Sequence, residues 1–296
     1  MLAPMSALLA LGRPVAAFSC YDLETGVGAG LAAEQRQTPV VLLVPSKSLG
    51  AAYGLGLVAA LVQLVKGLRV PGCVQLDHIT EITPQAQAAL DLGARAAMID
   101  LSSRTFADNV VGTLAAVRAG QAWSAEIEGE IGRLDGDEDK AAAGTVAQAV
   151  TDVDEAVEFV ARTGVCCLAV SVGNQHGPYL QPPHLDFELL GRLVRNVGAP
   201  IALHGTSGLP ATELYRAVQC GVAKVNVNSD LRRAYLAALG PEVAVAAPTL
   251  DLLRVKSRII EAVREVVDDV LGRLNEASSG AVVGQSDRKA TREEPT

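Results

Sequence analysis

The segment Pro200–Asn228, PIALHGTSGLPATELYRAVQCGVAKVNVN, decides the fold. It opens on a short apolar run, Pro200–Leu203, and passes through a Gly-rich turn into a helical pattern over Ala211–Gly221. It closes on a second apolar run, Ala223–Val227. Both runs are continuously apolar rather than alternating, the mark of strands covered on both faces and hence of a parallel sheet. Strand, helix and strand make one βαβ unit.

The same unit repeats upstream. Apolar runs at Pro14–Phe18, Pro39–Val44, Val70–Leu76, Ala94–Ile99, Trp123–Ile127 and Val165–Val170 alternate with helical stretches. These include Asp22–Gln35, Pro84–Leu92, Phe106–Arg118, Asp152–Thr163 and Asp186–Asn196. Eight strands and their helices over ~230 residues predict a (β/α)8 TIM barrel. A doubly wound open sheet is the alternative, because eight parallel strands do not by themselves prove closure. An extra amphipathic helix from Pro248 to Leu274 follows the barrel. The polar segment from Ser278 to Thr296 reads as a disordered tail, leaving residues 1–277 as one domain. Glu128–Val150 is long, acidic and Gly/Ala-rich. It reads as a mobile loop at the C-terminal end of strand five, where active-site lids sit.

Composition excludes several functions. Lys and Arg number 25 against 33 Asp and Glu, a net charge of −8, and only 3% of residues are aromatic. Such a chain lacks the basic surface and the stacking groups that nucleic-acid binding requires. Cysteines 20, 73, 166, 167 and 220 form an odd set with no CxxC, which predicts reduced, buried thiols in a cytoplasmic protein. Met1–Leu11 is apolar but has no basic stretch before it, so it does not read as a signal peptide. Ser48–Val65 carries no charge, yet three glycines, Tyr53 and Gln63 interrupt it, so it reads as a helix packed on a core rather than as a membrane span.

The polar residues collect at strand ends. Asp77 and His78 follow strand three, Glu128 and Glu130 strand five, His176 strand six, His204 strand seven, and Asn226 and Asn228 strand eight. In a barrel all of these converge on the C-terminal face. Three of the four histidines lie there, and His184 alone lies elsewhere, in a Pro-rich loop. Three imidazoles and one open position make a catalytic zinc site. The turn His204-Gly205-Thr206-Ser207-Gly208 and the segment Asn226-Val227-Asn228-Ser229 follow strands seven and eight, where barrels commonly bind phosphate. Gly26-Val27-Gly28-Ala29-Gly30 lies inside a helical stretch and lacks the GxGxxG spacing of a nucleotide loop. Lys224 is the one candidate Schiff-base lysine. Its neighbours alternate, so it reads as pointing outward.

From about Ser6 to Leu274 the chain resembles the class II, zinc-dependent ketose-bisphosphate aldolases, the fructose- and tagatose-bisphosphate aldolase group. The resemblance rests on Gln75-Leu76-Asp77-His78, Ala97-Met98-Ile99-Asp100, and Ile127-Glu128-Gly129-Glu130-Ile131-Gly132 with Gly136 and Glu138-Asp139. It extends to His176-Gly177-Pro178-Tyr179, Leu203-His204-Gly205 with Ser207-Gly208, and Lys224-Val225-Asn226-Val227-Asn228. It implies reversible aldol cleavage of a phosphorylated ketose to dihydroxyacetone phosphate and an aldehyde. It also implies zinc held by His78, His176 and His204 with Glu130 as an alternative ligand, a monovalent cation as a second candidate ion, and a homodimer or homotetramer. By the same resemblance Asp77 is the acid–base on the C4 hydroxyl, and Glu138 handles the proton on the carbon alpha to the ketone. Gly177, Gly205, Thr206, Ser207, Asn226, Val227, Asn228 and Ser229 line the dihydroxyacetone-phosphate pocket, and Ser46 touches substrate. The sequence departs from the family at Ser19, Val44 and Gln75, where Asn, Gln and His are frequent, and at Thr206, where a small residue is usual. Leu180 replaces a frequent lysine. Two other readings keep part of this pattern: a barrel zinc enzyme of another reaction class, which needs no Glu138, and a non-catalytic sugar-phosphate-binding paralogue, which needs neither Asp77 nor a full ligand set.

Overall fold

A computed structural model of the chain describes residues 1–132, 150–175 and 184–290, with side chains through residue 279. The strands are β1 Val15–Ser19, β2 Val40–Pro45, β3 Gly72–Ile79, β4 Ala96–Ile99, β5 Glu126–Ile131, β6 Cys167–Val170, β7 Ile201–Leu203 and β8 Lys224–Val227. All pair in parallel with their sequence neighbours. The β1–β8 register, Ala16 opposite Val225 and Ala17 opposite Asn226, closes the sheet on itself. The fold is therefore the closed (β/α)8 barrel and not the open sheet.

Five helices begin where a side chain can accept the first orphan N–H groups. Asp22, Thr83, Thr105, Asp152 and Asp186 cap α2 (Leu23–Arg36), α5 (Pro84–Asp91), α6 (Phe106–Gly120), α7 (Val153–Thr163) and α8 (Phe187–Asn196). The uncharged Ser48–Val65 stretch forms most of α3 (Ser46–Gly50) and α4 (Gly54–Gly67). No helix among the described residues is long and apolar enough to cross a membrane. After α9 (Ala211–Cys220) and α10 (Ser229–Ala246), α11 runs over Leu252–Ala290, beyond the stretch to Leu274 that its amphipathic pattern marks. Ala277 is still fully buried, and its carbonyl accepts from Gln219 Nε2 at 3.0 Å, so packing continues past the end of the pattern.

The glycine run in α2 serves packing. A Cβ on Gly28 would meet the Ile260 carbonyl at 2.8 Å and Val263 at 2.9 Å, so its absence lets α11 lie directly against α2. The apolar N-terminus forms α1 (Met5–Leu9), whose Met5, Leu8 and Leu9 pack against Val15, Ala17, Val41, Leu43, Cys73, Ala96, Cys167, Ala169 and Ala202. Alternate residues Ala16, Phe18, Val40, Leu42, Val74 and Leu76 belong instead to the core beneath the helices. The strands thus alternate in direction although both faces are apolar: odd positions of β1–β3 fill the barrel, and α1 plugs its lower end. Higher in the barrel the inward positions turn polar.

Candidate active site

β3 carries Gln75 and Asp77 inward, two residues apart and fully buried. The β3–β4 register slips between Leu76 and Ile79, and His78 takes a left-handed backbone, φ 48°. A bulge of this kind re-aims a side chain. The half-buried His78 ring consequently reaches the barrel mouth beside its neighbour Asp77, although successive residues of a regular strand face opposite ways.

β5 reads Glu126-Ile127-Glu128-Gly129-Glu130-Ile131. Its apolar members Ile127 and Ile131 join the outer core, and Glu128 and Glu130 are buried. Ligand atoms of His78, Glu130 and His204 lie within 4.8 Å of one another. The His78 and His204 rings meet edge to face, centroids 5.3 Å apart, and His204 Nδ1 lies 3.8 Å from Glu130 Oε2.

Each imidazole carries a carboxylate on its other nitrogen. His78 Nδ1 lies 3.0 Å from Asp100 Oδ2, and His204 Nε2 lies 2.8 Å from Glu128 Oε1. Such partners orient ligating histidines in metal sites. Burial would raise the Asp100 carboxyl, but its bonds to His78 and Ser102 hold it well below the carboxylate range. Burial likewise opposes ionisation of Glu128, yet Lys224 and His204 hold it anionic. Burial pushes the His204 pKa down to about 4 against the opposing pull of Glu128, so the ring is neutral at pH 7 and a lone pair can serve as a ligand. Two imidazoles, each with a carboxylate partner, and a buried carboxylate between them suit a divalent transition metal.

Lys224 does not point outward. It is fully buried, and Nζ donates to Glu128 Oε2 and to Asn226 Oδ1, both at 2.7 Å. Desolvation would lower its pKa, but Glu128 in contact keeps it raised, so the amine stays protonated and is no Schiff-base nucleophile. The outward reading failed because Lys224, Asn226 and Asn228 occupy the inward set of β8 while Val225 and Val227 face the outer core. For the same reason the Val227 side chain points away from the mouth, and only its backbone can meet a ligand.

The turn after β7 and the segment after β8 are stitched together. Thr206 Oγ1 donates to the Asn226 carbonyl at 2.7 Å, and Ser207 Oγ accepts from Asn228 N at 3.1 Å and Asp230 N at 3.3 Å. Tyr21, just beyond β1, donates to Asn228 Oδ1 at 3.1 Å. Gly205 has φ 62°, and a Cβ there would stand 2.0 Å from the Gln175 carbonyl. Ser46 and Ser229 begin α3 and α10 directly after β2 and β8, at the same end of the barrel. The structure therefore brings together Asp77, His78, Glu130, His204, Gly205, Thr206, Ser207, Asn226 and Asn228. His176, Gly177, Leu180, Glu138 and the expected lid segment from 133 to 149 lie outside the described residues.

Two groups of the site, Asp100 and Glu128, have no role in the sequence reading, and Lys224 enters it only as a candidate Schiff-base lysine. Gln75, flagged there only as a departure, joins them by donating to Glu128 Oε2 at 2.8 Å. Their signal was the period of two along β3, β5 and β8, which puts Gln75, Glu128 and Lys224 on the lining face with the ligands. All five cysteines are free thiols. Cys20, Cys73 and Cys167 are buried and Cys166 and Cys220 partly so.

The family model for class II fructose-bisphosphate aldolase matches residues 7–279. A fructose-bisphosphate aldolase of Geobacillus stearothermophilus is 32% identical over 277 residues, covering 92% of this chain and 93% of that one. A sulfofructosephosphate aldolase of Alkalicoccus urumqiensis is 34% identical over 225 residues, 76% of this chain and 78% of its own. Among solved structures, the YdjI aldolase of Escherichia coli K12 superposes with a TM-score of 0.80 at 27% identity, covering 93% of this chain and 97% of that one.

Proposed function

Because the chain belongs to the class II fructose-bisphosphate aldolase family, we propose that it is a zinc-dependent aldolase that cleaves a fructose- or tagatose-type ketose phosphate to dihydroxyacetone phosphate and an aldehyde. The observation that carries this reading is the buried His78–Glu130–His204 donor set beside Asp77. His176 completes the set on the strength of its motif. A bound zinc ion would supply Lewis acidity to the substrate carbonyl.

The chain's own residues supply the rest. Asp77 takes the C4 hydroxyl proton during cleavage and returns it during condensation. Glu138 exchanges the proton on the carbon alpha to the ketone. The Gly205–Ser207 turn and the Asn226–Ser229 segment present backbone and hydroxyl donors to the phosphate, with the backbone alone acting at Val227. Phosphate binding orients the scissile bond over Asp77. Ser46 contacts the substrate at the same rim. A homodimer or homotetramer in the cytoplasm accords with this role.

The relatives' names differ in the substrate, fructose bisphosphate in one and sulfofructosephosphate in the other, and the aldehyde half is where we expect this chain's own preference to be set. Neither described segment supplies a basic side chain dedicated to that half. We expect weak discrimination in the aldehyde half. A coupled cleavage assay over ketose monophosphates, bisphosphates and sulfonates, with chelator and with zinc restored, tests both points. Full activity without metal would refute the zinc reading. A preference of at least ~100-fold for fructose 1,6-bisphosphate, ~2.7 kcal/mol of discrimination, would mean a dedicated second anion site.

A further inference from the structure

The barrel interior beneath the ligands holds an ion pair that the proposed chemistry does not use. Glu128 and Lys224 are fully buried, and each touches the His204 environment. Glu128 Oε1 lies 2.8 Å from His204 Nε2, while Glu128 Oε2 accepts from Lys224 Nζ at 2.7 Å and from Gln75 Nε2 at 2.8 Å. Lys224 Nζ also donates to Asn226 Oδ1 at 2.7 Å, and Asn226 Nδ2 stands 3.2 Å from His204 Nε2.

The donor inventory orients Asn226, and bond strength decides the His204 tautomer. An ammonium can only donate, so the Asn226 oxygen must face Lys224 and its NH2 must face His204. A lone pair on His204 Nε2 would accept from Asn226 but would oppose a carboxylate oxygen at 2.8 Å. A proton on Nε2 instead makes a charge-assisted bond to Glu128, the stronger interaction. Nδ1 then carries the lone pair, on the side of Glu130.

We infer that Glu128 and Lys224 are positioning residues: the buried pair locks His204 in the Nε2–H tautomer and aims Nδ1 at the metal site. Lys224 acts through Glu128, holding its second oxygen so that the carboxylate cannot rotate away from His204. The inference rests on the metal reading above.

The test has two arms. In the parent protein, stripped of metal and labelled with ¹⁵N-histidine, long-range proton–nitrogen spectra report the tautomer. The His204 signals are assigned by replacing His78, His176 and His184 one at a time. The Nε2–H form is expected, and the Nδ1–H form would overturn the inference. In the second arm, zinc affinity is measured by competition with a chromogenic chelator. Glu128→Gln keeps the shape of the side chain but cannot accept from both His204 and Lys224. It should weaken zinc binding ~10–100-fold, as loss of a histidine's carboxylate partner does elsewhere. Glu128→Gln also strands the Lys224 ammonium, so the double variant Glu128→Gln/Lys224→Met provides a neutral pair if the single variant fails to fold. It should show the same loss. A folded variant that binds zinc as tightly as the parent overturns the inference alone. A parent that takes up no zinc overturns it together with the metal reading.

Discussion

Gly205→Ala tests whether the site depends on a backbone shape that only glycine permits. Gly205 holds φ 62°, and an added Cβ would lie 2.0 Å from the oxygen and 2.7 Å from the carbon of the Gln175 carbonyl. A left-handed backbone costs a non-glycine residue ~1–2 kcal/mol. The contact is with main chain rather than with a flexible tip. Relieving it is an overpacking problem of ~1–3 kcal/mol. Together these predict a loss of ~2–5 kcal/mol, a drop in Tm of about 5–15 °C for a chain of this size. Gly205 adjoins His204, so the shift also tilts that histidine. A displacement near 1 Å costs on the order of 10²-fold in rate, and kcat/KM should fall accordingly. Thermal melts at fixed zinc concentration and steady-state kinetics measure both effects. Gly56→Ala is the control. Gly56 is exposed inside α4 with nothing within 4 Å of its would-be Cβ, so alanine should stabilise the protein by ~0.5–1 kcal/mol. If Gly205→Ala melted within about 1 °C of the parent with unchanged kcat/KM, the turn would not need its left-handed residue and the reasoning would fail.

Asp77→Ala should lower kcat by ~10²–10⁴ and leave KM nearly unchanged, as for a group that moves a proton; a raised KM at constant kcat would make Asp77 a binding residue. In the metal-stripped protein His204 has a folded pKa of about 4 against 6.5 for the ordinary side chain, so the unfolded chain binds the extra proton in that window. Stability should therefore be full above about pH 6.5 and fall toward about pH 4; urea midpoints that do not change between those values, after comparison with His204→Gln, would refute it. Burial pushes the Cys73 thiol up to about 12 and raises Cys20 and Cys167 as well. Alkylation of the native protein at pH 8 should spare these three and start at partly exposed Cys220, as peptide mapping would show; rapid labelling of Cys73 would contradict the packed barrel interior.

The sequence by itself determined the order of elements, because parallel strands covered on both faces are continuously apolar and helices begin at capping residues. Val15–Ser19, Phe106–Gly120, Val153–Thr163 and Ala211–Cys220 all fall within a few residues of their expected spans. β5 was misplaced toward Trp123 because its inward face is acidic, and an apolar run ends at Ile127, the second residue of the strand, where Glu128 begins the buried acidic set. Closure of the barrel came only with tertiary structure, since it depends on the β1–β8 register between segments about two hundred residues apart. The same holds for direction. His78, Glu130 and His204 were legible as strand-end residues, but their convergence within 4.8 Å requires the bulge at His78 and the inward turn of Glu130. The fate of Lys224 depended on its partner. A lysine in a strand reads as solvated until Glu128, on a strand far around the barrel, is found 2.7 Å away to compensate its charge.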